Sequence, residues 1–352
     1  MYFTMTQRLN ILAIQLVVKT LWVFDWLCNF PQKLAYTAIK LSAVVLFFSF
    51  IFGLTTNVKT DFSRQLSYGL IDAFYTDPAL TGMDKTLAAV LGASDFGNVP
   101  ALVHKIDLPA ITAKSVLVMD ATTKKALFKL NSDARTAPAS TTKLMTALVA
   151  LDIYAVDDKL AVPYFCTVID TQKAGLPESA EFTVKDFLYA LLVISAGDAA
   201  CTLSTGKVSY NEFITLMNKK AQDLGMTNTA FTNSIGLDGV DSSHYSTAED
   251  LYKLATAATK NELIQTIVAT KEYTLTSADS RFSTQIHSTN KLLWELPHSV
   301  GVKTGTTLEA GEVLIYEYAD ELKNLYIIVM GSQNRFFDTE ALLKWILDSY
   351  SW

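Results

Sequence analysis

Pro138-Ala139-Ser140-Thr141-Thr142-Lys143-Leu144-Met145-Thr146-Ala147 opens an apolar pattern at helical spacing: Leu144, Leu148, Val149 and Leu151. Pro138 marks an extended or turn approach, so the pattern predicts a helix starting near Ser140. Residues three apart share a helix face, which puts Lys143 one turn behind Ser140. A serine hydroxyl is a weak nucleophile and needs a base within hydrogen-bond reach. A lysine serves as that base when burial or a second cation keeps it neutral. The start of a helix adds unpaired N–H groups and positive potential where an oxyanion would form over Ser140. Taken alone, Ser-x-x-Lys reads more readily as an N-cap serine beside a solvated lysine. Its weight depends on what the rest of the chain supplies.

The chain has 352 residues, half of them hydrophobic, enough for a sizeable core and accessory segments. Its charge is uneven. Of 29 Lys/Arg and 35 Asp/Glu, residues 1–60 hold five basic residues and a single acid, Asp25. A basic head on an acidic body argues against nucleic acid as a partner and fits a membrane-proximal head. The cysteines are Cys28, Cys166 and Cys201, with no zinc-ligand spacing. The reading favours two buried free thiols at 166 and 201; a bridge between them requires that the body be exported. The four histidines are scattered, so neither a metal nor a cofactor nor a histidine-based triad is expected.

Residues 36–54 read as a transmembrane helix in which Lys40 snorkels toward the headgroups. Residues 1–35 read as a cytoplasmic or interfacial amphipathic segment, with Trp22 and Trp26 at headgroup level, although 11–30 is also apolar enough for a first span. Lys33 and Lys40 place the N-terminal side of the 36–54 helix in the cytoplasm and everything after Leu54 outside. Residues 55–106 read as a partly helical stalk, and the body runs from 107 to 352.

In the body, 115–120 and 126–130 read as two strands, and late strands are predicted at 299–303, 312–318 and 325–330. Helices are predicted over 187–194, 210–224, from 247 onward and over about 338–348. Strands at both ends with helices between imply an α+β domain, an antiparallel sheet flanked by helices, behind an N-terminal anchor. The sequence ends at Trp352, soon after the last helix, so anchoring is expected from the N-terminal segment.

Two further stretches bear on Ser140. Val300-Gly301-Val302-Lys303-Thr304-Gly305-Thr306-Thr307 reads as a strand of small residues that can pair with an extended peptide and bind its terminal carboxylate. Ser195-Ala196-Gly197 reads as a helix end stopped by a glycine.

Together, Ser140-x-x-Lys143, a middle serine motif at Ser195 and Lys303-Thr304-Gly305 resemble the signature of penicillin-binding proteins and class A β-lactamases. The chain is most similar to the low-molecular-mass D-alanyl-D-alanine carboxypeptidases over roughly 107–349. Met217–Thr229, Asn233, Gly236-Leu237-Asp238, His244–Ala248 and Thr289–Leu293 add to the likeness. The resemblance implies catalytic roles for Ser140, Lys143 and Ser195, and substrate binding by Lys303, Thr304, Gly305 and Thr306. Ser140 and Thr306 would supply oxyanion-hole N–H groups, and Lys303 would help keep Lys143 neutral by repulsion. It further implies a peptidoglycan stem peptide as substrate and β-lactams as inhibitors. The family has Ser-x-Asn where this chain has Ser195-Ala196-Gly197. The missing amide is expected to slow the reaction about tenfold to a hundredfold and to leave space that a water could fill. A peptidoglycan-binding pseudoenzyme and a DD-endopeptidase are the alternatives. A class A β-lactamase is disfavoured because no Glu-Pro-x-Leu-Asn stretch lies between Ser195 and Lys303.

Overall fold

The computed structural model describes residues 99–352. The predicted anchor at 36–54, the amphipathic segment 1–35 and most of the stalk lie outside the described residues. Among the described residues, no helix is long and apolar enough to cross a membrane.

The chain runs through β1 (Ala101–Leu102), β2 (Ser115–Asp120), β3 (Lys125–Leu130) and a 3-10 turn (Ala139–Thr142) into α1 (Lys143–Ile153). Then follow β4 (Lys159–Ala161), α2 (Tyr164–Thr167), β5 (Glu181–Thr183), α3 (Val184–Leu192), α4 (Gly197–Thr205), α5 (Tyr210–Asp223), α6 (Ala248–Thr259) and α7 (Glu262–Val268). The last part is a hairpin of β6 (Glu272–Thr276) and β7 (Ser283–His287), α8 (Leu292–Glu295), β8 (Ser299–Thr307), β9 (Gly311–Ala319), β10 (Asn324–Ser332), α9 (Arg335–Ser349) and β11 (Tyr350–Ser351).

Five strands form one antiparallel sheet in the order β3-β2-β10-β9-β8. This is the α+β architecture expected from strands at both ends of the body. Side chains alternate across a strand, and here both faces are covered. Leu117, Ile315, Ile328 and Met330 join the helical core around α1 and α3. Val118, Leu314, Ile327 and Val329 meet Leu342, Leu343 and Ile346 of α9. That double burial explains the nearly unbroken apolar runs of β9 and β10. β8 is an edge strand, and its free edge borders the turn that carries Ser140.

Residues 101–106, assigned to the stalk from sequence, run along the body. Ala101 and Leu102 pair with Ser351 and Tyr350, and Trp345 Nε1 donates to the Ile106 carbonyl at 3.0 Å.

The structure corrects the reading of the cysteines as free thiols. Cys166 of α2 and Cys201 of α4 form a disulfide, their Cα atoms 5.5 Å apart across 35 residues of sequence. A loop of that length contributes about 4 kcal/mol through the unfolded chain.

α1 is buried on nearly every side, so its polar groups need partners inside the protein. Thr146 Oγ1 donates to the Ser234 carbonyl at 2.6 Å. Thr142 Oγ1 lies 2.9 Å from Nε2 of the fully buried His244. The Thr232 amide donates to His244 Nδ1 at 3.0 Å, so the ring proton sits on Nε2 and points at Thr142. Burial holds the His244 imidazole down to about 4, against the pull of Asp238. The unfolded imidazole therefore takes up a proton before the folded one as the pH falls. Stability is expected to be full above about 6.5 and to drop by about 3 kcal/mol by pH 4. Urea unfolding across that range checks it, because His244→Gln should lose this part of the slope.

Candidate active site

Lys143 is reached by three separate segments. Ser140 lies on the 3-10 turn, and the Lys143 Nζ is 2.9 Å from its Oγ. On the other side Nζ donates to the Ile235 carbonyl at 2.7 Å. That carbonyl is aimed by Asn233, whose Oδ1 accepts the amides of Ile235, Gly236 and Leu237 at 3.2, 2.7 and 3.0 Å. β8 closes the third side.

The approach is tight enough to require glycine twice. A Cβ on Gly305 would stand 2.8 Å from the Ser140 amide nitrogen and 2.9 Å from Ala139 Cβ. On Gly236, at φ +90°, it would stand 2.1 Å from the Ala139 carbonyl oxygen. Between them Ala139 itself is held at φ +49°, a strained conformation for a residue with a side chain. The strain sits one residue before Ser140.

Lys143 is fully buried, and burial lowers its ammonium from 10.5 to about 7, with Asp198 acting in the opposite direction. Burial also holds Lys303 well below the usual lysine range, and the charges of Lys143 and Arg335 add to it. The sequence reading gave repulsion from Lys303 as a cause for a neutral Lys143. Burial is the larger effect at both lysines, and their mutual repulsion adds to it. Lys303 Nζ donates to the Thr304 carbonyl at 3.0 Å, and Thr304 Oγ1 pairs with Thr289 Oγ1 at 2.6 Å.

Thr306 reveals a residue that the sequence reading missed. Arg335 Nη1 donates to the Gly305 carbonyl at 2.9 Å and also to the Thr306 hydroxyl. Its Nε is buried with no hydrogen-bond partner among the described residues. Arg335 is the first residue of α9, capped by Asn334. A cation at a helix N-terminus opposes the helix dipole. That misfit, legible in the sequence once the helix start is placed, was the available signal.

Ser195 lies between α3 and α4 at φ +65° and is 6% exposed. It is therefore not simply the end of a helix, since Gly197 begins another. No hydrogen bond joins Ser195 to either lysine among the described residues. The space beside Gly197 is filled by protein rather than left for water. A Cβ at 197 would lie 2.3 Å from the Thr171 methyl carbon, and the Gly197 amide donates to the Gln172 carbonyl at 2.7 Å. The next residues are fastened too: the buried Asp198 carboxylate accepts the amides of Ala174, Gly175 and Leu176 at 3.1, 3.0 and 3.1 Å. Restoring the family residue with Gly197→Asn is therefore expected to destabilise the protein by about 1–3 kcal/mol without a gain in rate. Adding Thr171→Ala should recover most of the loss. Melting curves of the single and double variants measure this coupling.

A serine against a buried, near-neutral lysine, under an edge strand able to align an extended chain, is the machinery of serine acyl-transfer hydrolases of the penicillin-binding type. Residues 103–334 match the model of the peptidase S11, D-alanyl-D-alanine carboxypeptidase family, and the chain belongs to that family. The D-alanyl-D-alanine carboxypeptidase of Streptomyces sp. (strain K15) is 32% identical over 248 residues, 66% of this chain and 84% of that protein. The D-alanyl-D-alanine endopeptidase of Escherichia coli (strain K12) is 32% identical over 245 residues, 68% of this chain and 78% of its own. Carboxypeptidase DacF of Bacillus subtilis (strain 168) is 35% identical over 205 residues, 56% of this chain. The match spans about half of the DacF length, 52%. The crystal structure of the Streptomyces K15 DD-transpeptidase superposes with a TM-score of 0.65 at 30% identity, covering 69% of this chain and 100% of that one.

Proposed function

We propose that the chain is a membrane-anchored serine D-alanyl-D-alanine carboxypeptidase that trims peptidoglycan stem peptides through an acyl-enzyme on Ser140. The observation that carries this reading is the 2.9 Å contact between Ser140 Oγ and a buried lysine that titrates near 7. The stem peptide lies extended along the free edge of β8. Its terminal carboxylate is held by Arg335 with Thr304 and Thr306. Neutral Lys143 takes the Ser140 proton as Oγ attacks the carbonyl between the two D-alanines. The amides of Ser140 and Thr306 receive the oxyanion. The C–N bond breaks, and the proton passes through Ser195 to the leaving amine, releasing D-alanine. Water then hydrolyses the ester and restores Ser140. β-Lactams acylate the same serine.

The disulfide supports an extracytoplasmic body, because such bridges persist in oxidising compartments. The basic head and the apolar 36–54 stretch support the anchor. The names of the Escherichia coli relative and of a Pseudomonas aeruginosa relative, 30% identical, favour endopeptidase cleavage of crosslinks as the second reading.

Fluorescent penicillin labelling of the full-length, detergent-solubilised chain tests the mechanism. Covalent labelling that disappears in Ser140→Ala is the expected result. A folded protein that takes no label would leave the cleft as a binding site only. Release of D-alanine from a pentapeptide, compared with cleavage of a crosslinked dimer, separates the two activities.

A further inference from the structure

A second site lies at the other end of the sheet. Along β9, Val313 pairs with Gly305, and Glu317 lies four residues further on, opposite Gly301. At strand rise that is roughly 13 Å from the catalytic end. There a cavity of ≈ 470 Å³ is lined by Glu317, Asn324, Tyr326 and Thr259, with Lys124 and Lys260 also on its wall. Both lysines are exposed, whereas Glu317 is only 2% exposed.

The polar groups inside are left with a common deficit. Glu317 Oε2 and Asn324 Oδ1 are buried without a hydrogen-bond partner among the described residues. Burial pushes the Glu317 carboxyl up while Tyr326 and Asn324 pull it down, yet neither meets Oε2 in hydrogen-bond geometry. Thr259 Oγ1 donates to the Ala255 carbonyl at 3.0 Å, so its 2.7 Å bond with Tyr326 uses the tyrosine proton. What remains for a guest is a carboxylate oxygen, an amide oxygen and a phenol lone pair, all acceptors. A buried carboxylate with an oxygen left unpaired is costly. A primary ammonium, with three N–H bonds and a positive charge, answers the whole set. A divalent cation suits it less: calcium takes six to eight oxygens, and two lysines at the rim repel it. Those lysines suit an anion carried by the same guest.

We propose that this cavity binds an amino acid or short peptide as its zwitterion. The ammonium is held by Glu317 and Asn324, and the carboxylate faces Lys124 and Lys260. The site is separate from the catalytic cleft and does not depend on its chemistry. Ligand-observed NMR titration of the full-length Ser140→Ala chain in detergent tests it, with D-alanine and D-alanyl-D-alanine as probes. Saturable binding at about millimolar concentration is expected. It should weaken at least tenfold in Glu317→Gln, and again for N-acetyl-D-alanine, which lacks the ammonium. Lys260→Glu, on the exposed rim, should weaken it without touching the buried part of the fold. Preference for D-alanine would identify a free amino acid as the guest, and preference for the dipeptide a peptide end. Binding unchanged by both Glu317→Gln and Lys260→Glu, or no binding of either probe, would overturn the proposal.

Discussion

Replacing Lys143 with methionine is expected to slow acylation by penicillin roughly 10²–10⁴-fold and, at neutral pH, to make the protein more stable. The loss of rate follows from removing the proposed base, 2.9 Å from Ser140 Oγ. The gain in stability follows from the same burial that makes the lysine useful. Its pKa falls from 10.5 in the unfolded chain to about 7 in the folded one, an opposing contribution of about 5 kcal/mol at pH 7 and below. Methionine forfeits the bond to the Ile235 carbonyl, worth about 1–3 kcal/mol when its partner stays buried. A net gain of about 2–4 kcal/mol remains, or several degrees in Tm. The sign depends on pH. A lysine whose folded pKa is depressed costs most below that pKa and nothing above the unfolded value, so the advantage of the variant should shrink above pH 7 and reverse by about 10.5, where only the lost Ile235 bond counts. In the wild type, kcat/KM for acylation should rise with pH through about 7 and then level off, as Lys143 loses its proton. Stopped-flow labelling and thermal melts over pH 5–11 measure both halves. A variant that labels at the wild-type rate would remove Lys143 from the mechanism.

Gly305→Ala is expected to be nearly as damaging to the chemistry, for a steric reason. The added methyl would stand 2.8 Å from the Ser140 amide and 2.9 Å from Ala139 Cβ. Neither neighbour can rotate away, so β8 or the 3-10 turn must move. A displacement on the order of 1 Å at a reacting group costs about 10²-fold in rate, while the overpacking costs about 1–3 kcal/mol. Acylation rate and Tm should therefore both fall, the rate by far the more. An unaffected rate would mean that β8 does not press on the nucleophile as described.

The sequence was most informative where a short local pattern coincided with the chemistry. Ser140 and Lys143 are three residues apart, so one helical turn brings them together whatever the rest of the chain does. The strand at Lys303 and the apolar runs of β9 and β10 were likewise visible, because burial on both faces leaves few polar interruptions. The residues that complete the site act through distant contacts. Ile235 reaches Lys143 through a backbone carbonyl, which leaves no mark on residue type. Arg335 reaches Thr306 from across the sheet, 29 residues away. Thr171 fills the space beside Gly197 from the loop between α2 and β5. Gly197 read as a lost amide; the structure shows a position where a side chain would meet that threonine. The pairing of Cys166 with Cys201 depended on whether α2 folds over α4, a tertiary fact that cysteine spacing does not encode.

That bridge bears on how the molecule is assembled in the cell. Three cysteines, Cys28, Cys166 and Cys201, offer three pairings, and the described residues hold the Cys166–Cys201 bridge. Under the proposed topology Cys28 stays on the cytoplasmic side of the bilayer, where thiols are kept reduced. The bilayer then sorts the thiols before folding begins. A body exported in this way would carry a single pair with no competitor, and would need an oxidant but no isomerase to reach the right covalent structure.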